Sequence, residues 1–245
     1  MPYIKEVCVA GKTIEVSKYY SVRWHCVGER REPREKLTSD AQKKVNQRQA
    51  CTTLRRLLNT NFTDGDLLIR LDFSKTFPKG SEEMQELTSK ALRKMRAEFK
   101  KQNRDMKYVY VKEIGPRGGR HIHMVMSKCD TELIRKCWPH GGIHIDPLIS
   151  NGQYGKIAEY FIKYAAKTEE TEGELIGKRW YASRNMKRPK ITKKVIPANK
   201  FRKDTKAVKG YAVLPDSVRS GISGLTGYEY FTYTMIRTDK EGGGG

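Results

Sequence analysis

Tyr108-Val109-Tyr110-Val111-Lys112-Glu113-Ile114-Gly115-Pro116-Arg117-Gly118-Gly119-Arg120-His121-Ile122-His123-Met124-Val125-Met126 decides the fold. Two apolar, β-favouring runs flank a Gly/Pro-rich stretch, which predicts an antiparallel hairpin. Side chains alternate along a strand, so His121 and His123 project from one face. With Gly115–Gly119 as the loop, Ile114 pairs with Arg120, Glu113 stands opposite His121 and Val111 opposite His123. Glu113, His121 and His123 then share a face, with the Cβ atoms of Glu113 and His121 about 5 Å apart. A four-residue loop would move Glu113 to the other face. Two imidazoles and a carboxylate with positions left open suit Mg²⁺ or Mn²⁺ taking phosphate oxygens as further ligands.

Outward from this hairpin the chain alternates short strands and helices. Residues 3–23 read as a second hairpin and 28–39 as charged and turn-like. A helix is predicted from Ser39 or Asp40 to about Asn59, and a strand over Leu67–Phe73. Ser81 is the expected N-cap of a helix running to about Gln102 and burying Met84, Leu87, Ala91, Met95 and Phe99. A short helix over Thr131–Cys137, a strand over Gly142–Ile145, a helix over Tyr154–Lys167 and a closing strand over Tyr228–Ile236 complete the set. This order predicts an α+β fold, a central antiparallel sheet of about five strands flanked by helices, rather than a doubly wound parallel sheet. The expected divisions are 1–63, an N-terminal hairpin and basic helix; 64–170, the core; 171–241, a basic extension; and 242–245, a glycine tail.

On the helix over 154–167, at 100° per residue, Ile157, Ala158, Phe161, Ile162 and Ala165 occupy one arc of about 140°. Tyr160, Lys163, Tyr164 and Lys167 fall on a separate arc of about 100°. The apolar arc would dock on the sheet while the other presents two phenols and two ammonium groups. A phenol attacks poorly unless its anion is stabilised, which a polarised phosphate and nearby lysines provide. His140 and His144 are separated by a Gly-Gly turn and are read as structural.

Forty-nine Lys and Arg against 28 Asp and Glu give a net charge of +21. Such a chain attracts polyanions and releases them with salt. Residues 178–209 hold 13 of those cations and one acid, Asp204, a local balance of +12. Trp180, Tyr181 and Phe201 are interleaved among them, offering faces on which bases can stack. The five scattered cysteines suggest neither a disulfide framework nor a zinc knuckle, so a reducing cytoplasm is expected. No apolar run is long enough to cross a bilayer, and membrane association is not expected.

Taken together, an HxH strand, an acid on the preceding strand and a downstream YxxK helix resemble the HUH endonucleases. Within that superfamily the chain looks most like the rolling-circle replication initiators of plasmids and phages, of the filamentous-phage gene II type. The motifs lie within about 64–167, and the tyrosines follow the histidines, as in initiators rather than relaxases. The resemblance implies an HUH, ferredoxin-like palm, with His121, His123 and Glu113 holding Mg²⁺ or Mn²⁺. It implies Tyr160 as nucleophile oriented by Lys163, with Tyr164 and Lys167 repeating the spacing as in the two-tyrosine subclass. Arg70 and Asp72 stand where the family often has threonines, and Asp72 is close enough in sequence pattern to approach the metal. Contacts to DNA are expected from Arg117, Arg120, Lys178, Arg179, Trp180, Arg184, Lys187, Arg188 and Lys190. The implied activity is nicking of single-stranded or hairpin origin DNA through a 5′-phosphotyrosine. The implied setting is the cytoplasm of a bacterial host, from a plasmid or phage. With no Walker motif present, a host helicase and polymerase are the expected partners. Alternatives are an HUH relaxase or transposase, a phosphoesterase using activated water, and a non-catalytic single-strand-binding module. A two-histidine phosphodiesterase is disfavoured, because a second HxT or HxS is missing.

Overall fold

A computed structural model describes residues 2–21, 40–74, 80–115, 118–149, 151–172, 178–224 and 226–238; the side chains of residues 40, 41, 167 and 169–172 lie outside that set. In chain order the elements are β1 (Tyr3–Ala10), β2 (Thr13–Tyr20), α1 (Asp40–Asn61), β3 (Leu67–Asp72), α2 (Ser81–Lys101), β4 (Tyr108–Ile114), β5 (Arg120–Met126), α3 (Thr131–Cys137), β6 (Ile143–Pro147) and α4 (Gly155–Glu172). There follow β7 (Tyr181–Ala182), β8 (Lys190–Ile196), β9 (Tyr211–Val213), a 3₁₀ turn (Pro215–Ser217), β10 (Arg219–Ile222) and β11 (Glu229–Arg237). They form two compact units, Lys44–Lys187 and Met1–Lys43 with Arg188–Gly245. The sequence divisions at 63/64 and 170/171 cut the chain elsewhere, because β1 and β2 pair with strands of the C-terminal extension.

The first unit, Lys44–Lys187, is an α+β fold around a five-stranded antiparallel sheet in the order β6-β3-β5-β4-β7. The 108–126 hairpin takes the register its sequence predicts: Ile114 opposite Arg120, Glu113 opposite His121, Val111 opposite His123. Gly115 N–H donates to the Gly119 carbonyl at 2.8 Å and closes the loop. Gly118, at φ 75°, takes the left-handed conformation that glycine tolerates without a Cβ penalty.

Both sheet faces are covered by helices, which is why the strands carry few polar residues at their centres. On one face Leu67, Ile69, Leu71, Tyr110, Ile122 and Met124 pack against the α2 stripe Met84, Leu87, Ala91, Met95 and Phe99. Each buried Leu, Ile, Met or Phe among them contributes about 1.5–3 kcal/mol. On the opposite face Val109, Val111 and Val125 meet Leu54 and Leu58 of α1 and Ala158, Phe161 and Ile162 of α4. The candidate site lies on this second face.

One local expectation is corrected. Gly80, not Ser81, occupies the N-cap of α2, and it makes no side-chain cap. The Ser81 hydroxyl instead accepts from the Lys112 ammonium group at 2.5 Å, beneath the helix, which satisfies a buried cation. The basic stretch 178–209 contains β7 and β8, and β9 and β10 follow it. The second unit holds a six-stranded sheet, β10-β11-β2-β1-β8, with β9 also pairing β11.

Candidate active site

Asp72, His121 and Glu113 lie on adjacent strands in direct cross-strand register, with Asp72 on one side of His121 and Glu113 on the other. Arg70 and His123 form the next row on the same face, and Arg70 also faces His144 of β6. Polar side chains from four strands therefore gather on the face that carries α1 and α4.

Within the cluster each imidazole pairs with its own carboxylate. His121 Nδ1–H donates to Asp72 Oδ1 at 2.7 Å. His123 Nε2–H donates to Glu113 Oε2 at 2.7 Å, a diagonal bond, since the direct opposite of Glu113 is His121. His123 and Glu113 are both buried, whereas His121 is half-buried. Arg70 Nε donates to Asp72 Oδ1 at 3.0 Å, and His144 Nε2 stands 3.3 Å from Asp72 Oδ2. Burial works to raise the Asp72 pKa, but the hydrogen bonds from His121 and Arg70 outweigh it and hold the carboxyl below its ordinary range. Asp72 is thus an anchored anion, and its bond to Nδ1 leaves the His121 lone pair on Nε2, as a carboxylate behind a ligating histidine does.

The segment 138–142 fixes that anchor from behind. Trp138 Nε1–H donates to the Asp72 carbonyl at 3.1 Å, and Asp72 N–H donates to the Gly142 carbonyl at 2.8 Å. A Cβ at Gly141 would collide with the Asp72 carbonyl oxygen, so this close approach requires glycine.

Both tyrosines of α4 come onto the histidine face. The Tyr164 ring stacks on His123 with centroids 4.3 Å apart and an interplanar angle of 13°. Tyr160 meets His123 edge-on at 5.3 Å and Tyr164 edge-on at 4.2 Å. Burial, then the hydrogen bond and charge of Tyr160 and the charge of Glu113, push the Tyr164 phenol well above its ordinary pKa. Tyr160 is 42% exposed and Tyr164 is half-buried. Lys163 is on the exposed side of the same helix. Lys167 lies in α4, but its side chain is outside the described set, as is residue Arg117.

The remaining sequence candidates are spread out. Arg120 is half-buried and donates to the Gly118 carbonyl at 3.1 Å. Lys178, Arg184, Lys187, Arg188 and Lys190 are exposed, Arg179 is half-buried, and Arg188 and Lys190 fall in the other unit. Trp180 is half-buried against the α1/α4 core, and Tyr181, also half-buried, stacks on Tyr110 at 5.0 Å. His144, read as structural in the sequence, joins the site through Asp72. Its signal was the short strand 143–147, whose pairing with β3 is non-local. His140 remains apart, edge-on to Trp138 at 5.1 Å.

Among the described residues no three His, Cys, Asp or Glu side chains converge as a ready cation site. The donor chemistry nonetheless fits a divalent ion, since His121, His123 and Glu113 share one face and two carboxylates stand beside the imidazoles.

Residues 73–169 match the family model of Replication-associated protein ORF2/G2P. The matched span contains Glu113, both histidines of the pair, His144 and both tyrosines of α4. It is consistent with a rolling-circle replication initiator of the gene II type, and so with the resemblance carried by the motifs. No curated protein and no solved structure matches the chain. Among the described residues no helix is long and apolar enough to cross a membrane.

Proposed function

We propose that this replication-associated protein nicks single-stranded or hairpin origin DNA and joins itself to the new 5′ end through Tyr160. The observation that carries the reading is the convergence of Tyr160 and Tyr164 on His123, with Glu113, His121 and Asp72 beside it. Rings 4.3 and 5.3 Å from the His123 imidazole put a phenol within reach of a phosphate held beside it.

In this scheme the Tyr160 oxygen forms a bond to the scissile phosphorus, and the bond from phosphorus to the 3′ oxygen breaks. The phenol gives up one proton and the departing 3′ oxygen gains one. The phosphotyrosine conserves the energy of the phosphodiester, so a later strand transfer requires no nucleotide triphosphate. His121, His123 and Glu113 would hold Mg²⁺ or Mn²⁺, which when bound polarises the phosphate. Asp72 orients His121, and Tyr164 packs His123 in place. Tyr160 is the more accessible phenol and acts first; Tyr164 is the candidate second nucleophile of a two-tyrosine cycle. Lys163, one turn on from Tyr160, favours its anion. Opening of the duplex ahead of synthesis falls to a host helicase, and the released 3′-OH to a host polymerase.

The test is to incubate the protein with single-stranded origin-derived DNA and Mn²⁺ and resolve the products in SDS. A covalent protein–DNA band that disappears in the Tyr160→Phe, Tyr164→Phe variant supports the reading. Cleavage without any adduct would point to activated water, and tight binding without cleavage to a non-catalytic module.

A further inference from the structure

The six-stranded sheet carries a second cluster, remote in sequence from the histidines. Lys5 in β1 stands directly opposite Lys194 in β8 on one side and Lys18 in β2 on the other. Like charges directly opposite on one face of a sheet are destabilising. Lys18 is neutralised by Asp204 at 3.1 Å and by the Arg202 carbonyl at 2.6 Å. Lys5 and Lys194 are exposed, and neither makes an ion pair among the described residues. One residue along, on the other face, the opposite pair is Glu6 with Lys193, joined at 3.2 Å. The chain thus balances one face and leaves two bare lysines side by side on the other.

Two residues further on that same face, about 7 Å away, the row is aromatic. Tyr3 stands opposite Tyr20. Tyr20 is stacked on Tyr228 with centroids 3.6 Å apart and an angle of 15°. Tyr3 and Phe201 meet edge-on at 5.0 Å beside them. Tyr228 is 44% exposed, so this stack reaches solvent. Residues 188–238 around it carry eleven Lys or Arg against three Asp or Glu.

We infer that Lys5, Lys194 and the Tyr20–Tyr228 stack form a binding track for single-stranded DNA. The lysines take successive phosphates, which relieves their mutual repulsion, and a base stacks on the exposed tyrosine. Stacking on aromatics beside a cationic path is the common way to hold single strands without reading sequence, because every base has a π-face. The substrate class rests on the proposed function, but the track does not depend on the tyrosine chemistry of α4.

The experiment measures binding of the full chain to a labelled thymidine oligomer of about 15 nucleotides across a salt series. The Lys5→Gln, Lys194→Gln variant is expected to lower the slope of log affinity against log salt by about 1.4, or 0.7 per lost phosphate contact. Tyr20→Leu with Tyr228→Leu is expected to weaken binding on the order of 10-fold with the slope unchanged. Without DNA, Lys5→Gln alone should melt no lower than the parent chain, since it removes a like-charge contact. Parental affinity and slope in both double variants, or equal displacement of the oligomer by duplex of the same length, would overturn the track. The Tyr160→Phe, Tyr164→Phe protein separates the two readings: it keeps track binding while forming no adduct. Loss of adduct with every DNA, alongside intact lysine and tyrosine effects on binding, would sink the nicking reading and leave the track standing.

Discussion

Replacing Asp72 by Asn keeps the shape of the side chain and removes its charge. Asp72 accepts from His121 Nδ1 at 2.7 Å and Arg70 Nε at 3.0 Å, with His144 at 3.3 Å. Hydrogen bonds to a charged group are worth about 1.5–3 kcal/mol each, and less where water competes. The carboxylate is about one-fifth exposed, and Asn retains one acceptor oxygen, so the expected loss is ~1–2 kcal/mol. For a unit of this size each kcal/mol moves the melting temperature by about 2–4 °C. The pH dependence has a definite sign. The folded carboxyl is held below its ordinary pKa by His121 and Arg70 against the opposing effect of burial. Its stabilisation is therefore complete above the ordinary carboxylate range and disappears as pH falls through the depressed folded value. Thermal melts of both proteins should differ at pH 7 and converge in acid. Loosening a carboxylate behind a ligating histidine typically costs 10–100-fold in metal affinity, so the Mn²⁺ needed for half-maximal adduct should rise by roughly that factor. Equal melting at pH 7 together with an unchanged Mn²⁺ midpoint would refute the anchoring role of Asp72.

Further outcomes follow from the same geometry. Tyr160→Phe should abolish the first nick, whereas Tyr164→Phe should leave some first-round adduct and impair the transfer that ends a cycle; gel assays on a suicide substrate distinguish them. Gly141→Ala forces a methyl group onto the Asp72 carbonyl and should destabilise by about 1–3 kcal/mol, read by denaturant titration. Phe161→Ala empties a fully buried position between α4 and the sheet and should cost about 3–5 kcal/mol, with adduct yield falling as the tyrosine helix loosens.

The hairpin was legible because it is local. Gly-Pro-Arg-Gly-Gly between two seven-residue apolar runs sets both the turn and the register, and that register places Glu113 beside the histidines. Helix α4 was legible for the same reason, since its two arcs are fixed by a 3.6-residue period. The family match over 73–169 agrees with the motifs that carried the resemblance. Asp72 was marked only by its oddity: Arg70 and Asp72 interrupt the apolar strand Leu67–Phe73 on alternate positions, which signals a polar patch without naming its partner. His144 was not legible, because only the pairing of β6 with β3 brings it there, some seventy residues from Arg70. The strands β8 to β10 were missed because lysine and glycine mark solvated loops in a local reading, while β8 pairs with the N-terminal hairpin and β9 and β10 both pair with β11. The same non-locality hid the opposition of Lys5 and Lys194.

The central claim is that a tyrosine of α4, rather than water, takes the phosphate. The most direct measurement is mass spectrometry of the proteolysed, nuclease-trimmed adduct. Nucleotide mass on Tyr160, or on Tyr164 after a second transfer in the parent chain, is the predicted result. Nucleotide mass on Tyr154, Tyr181 or a serine, or a clean cut with no modified peptide, would contradict it.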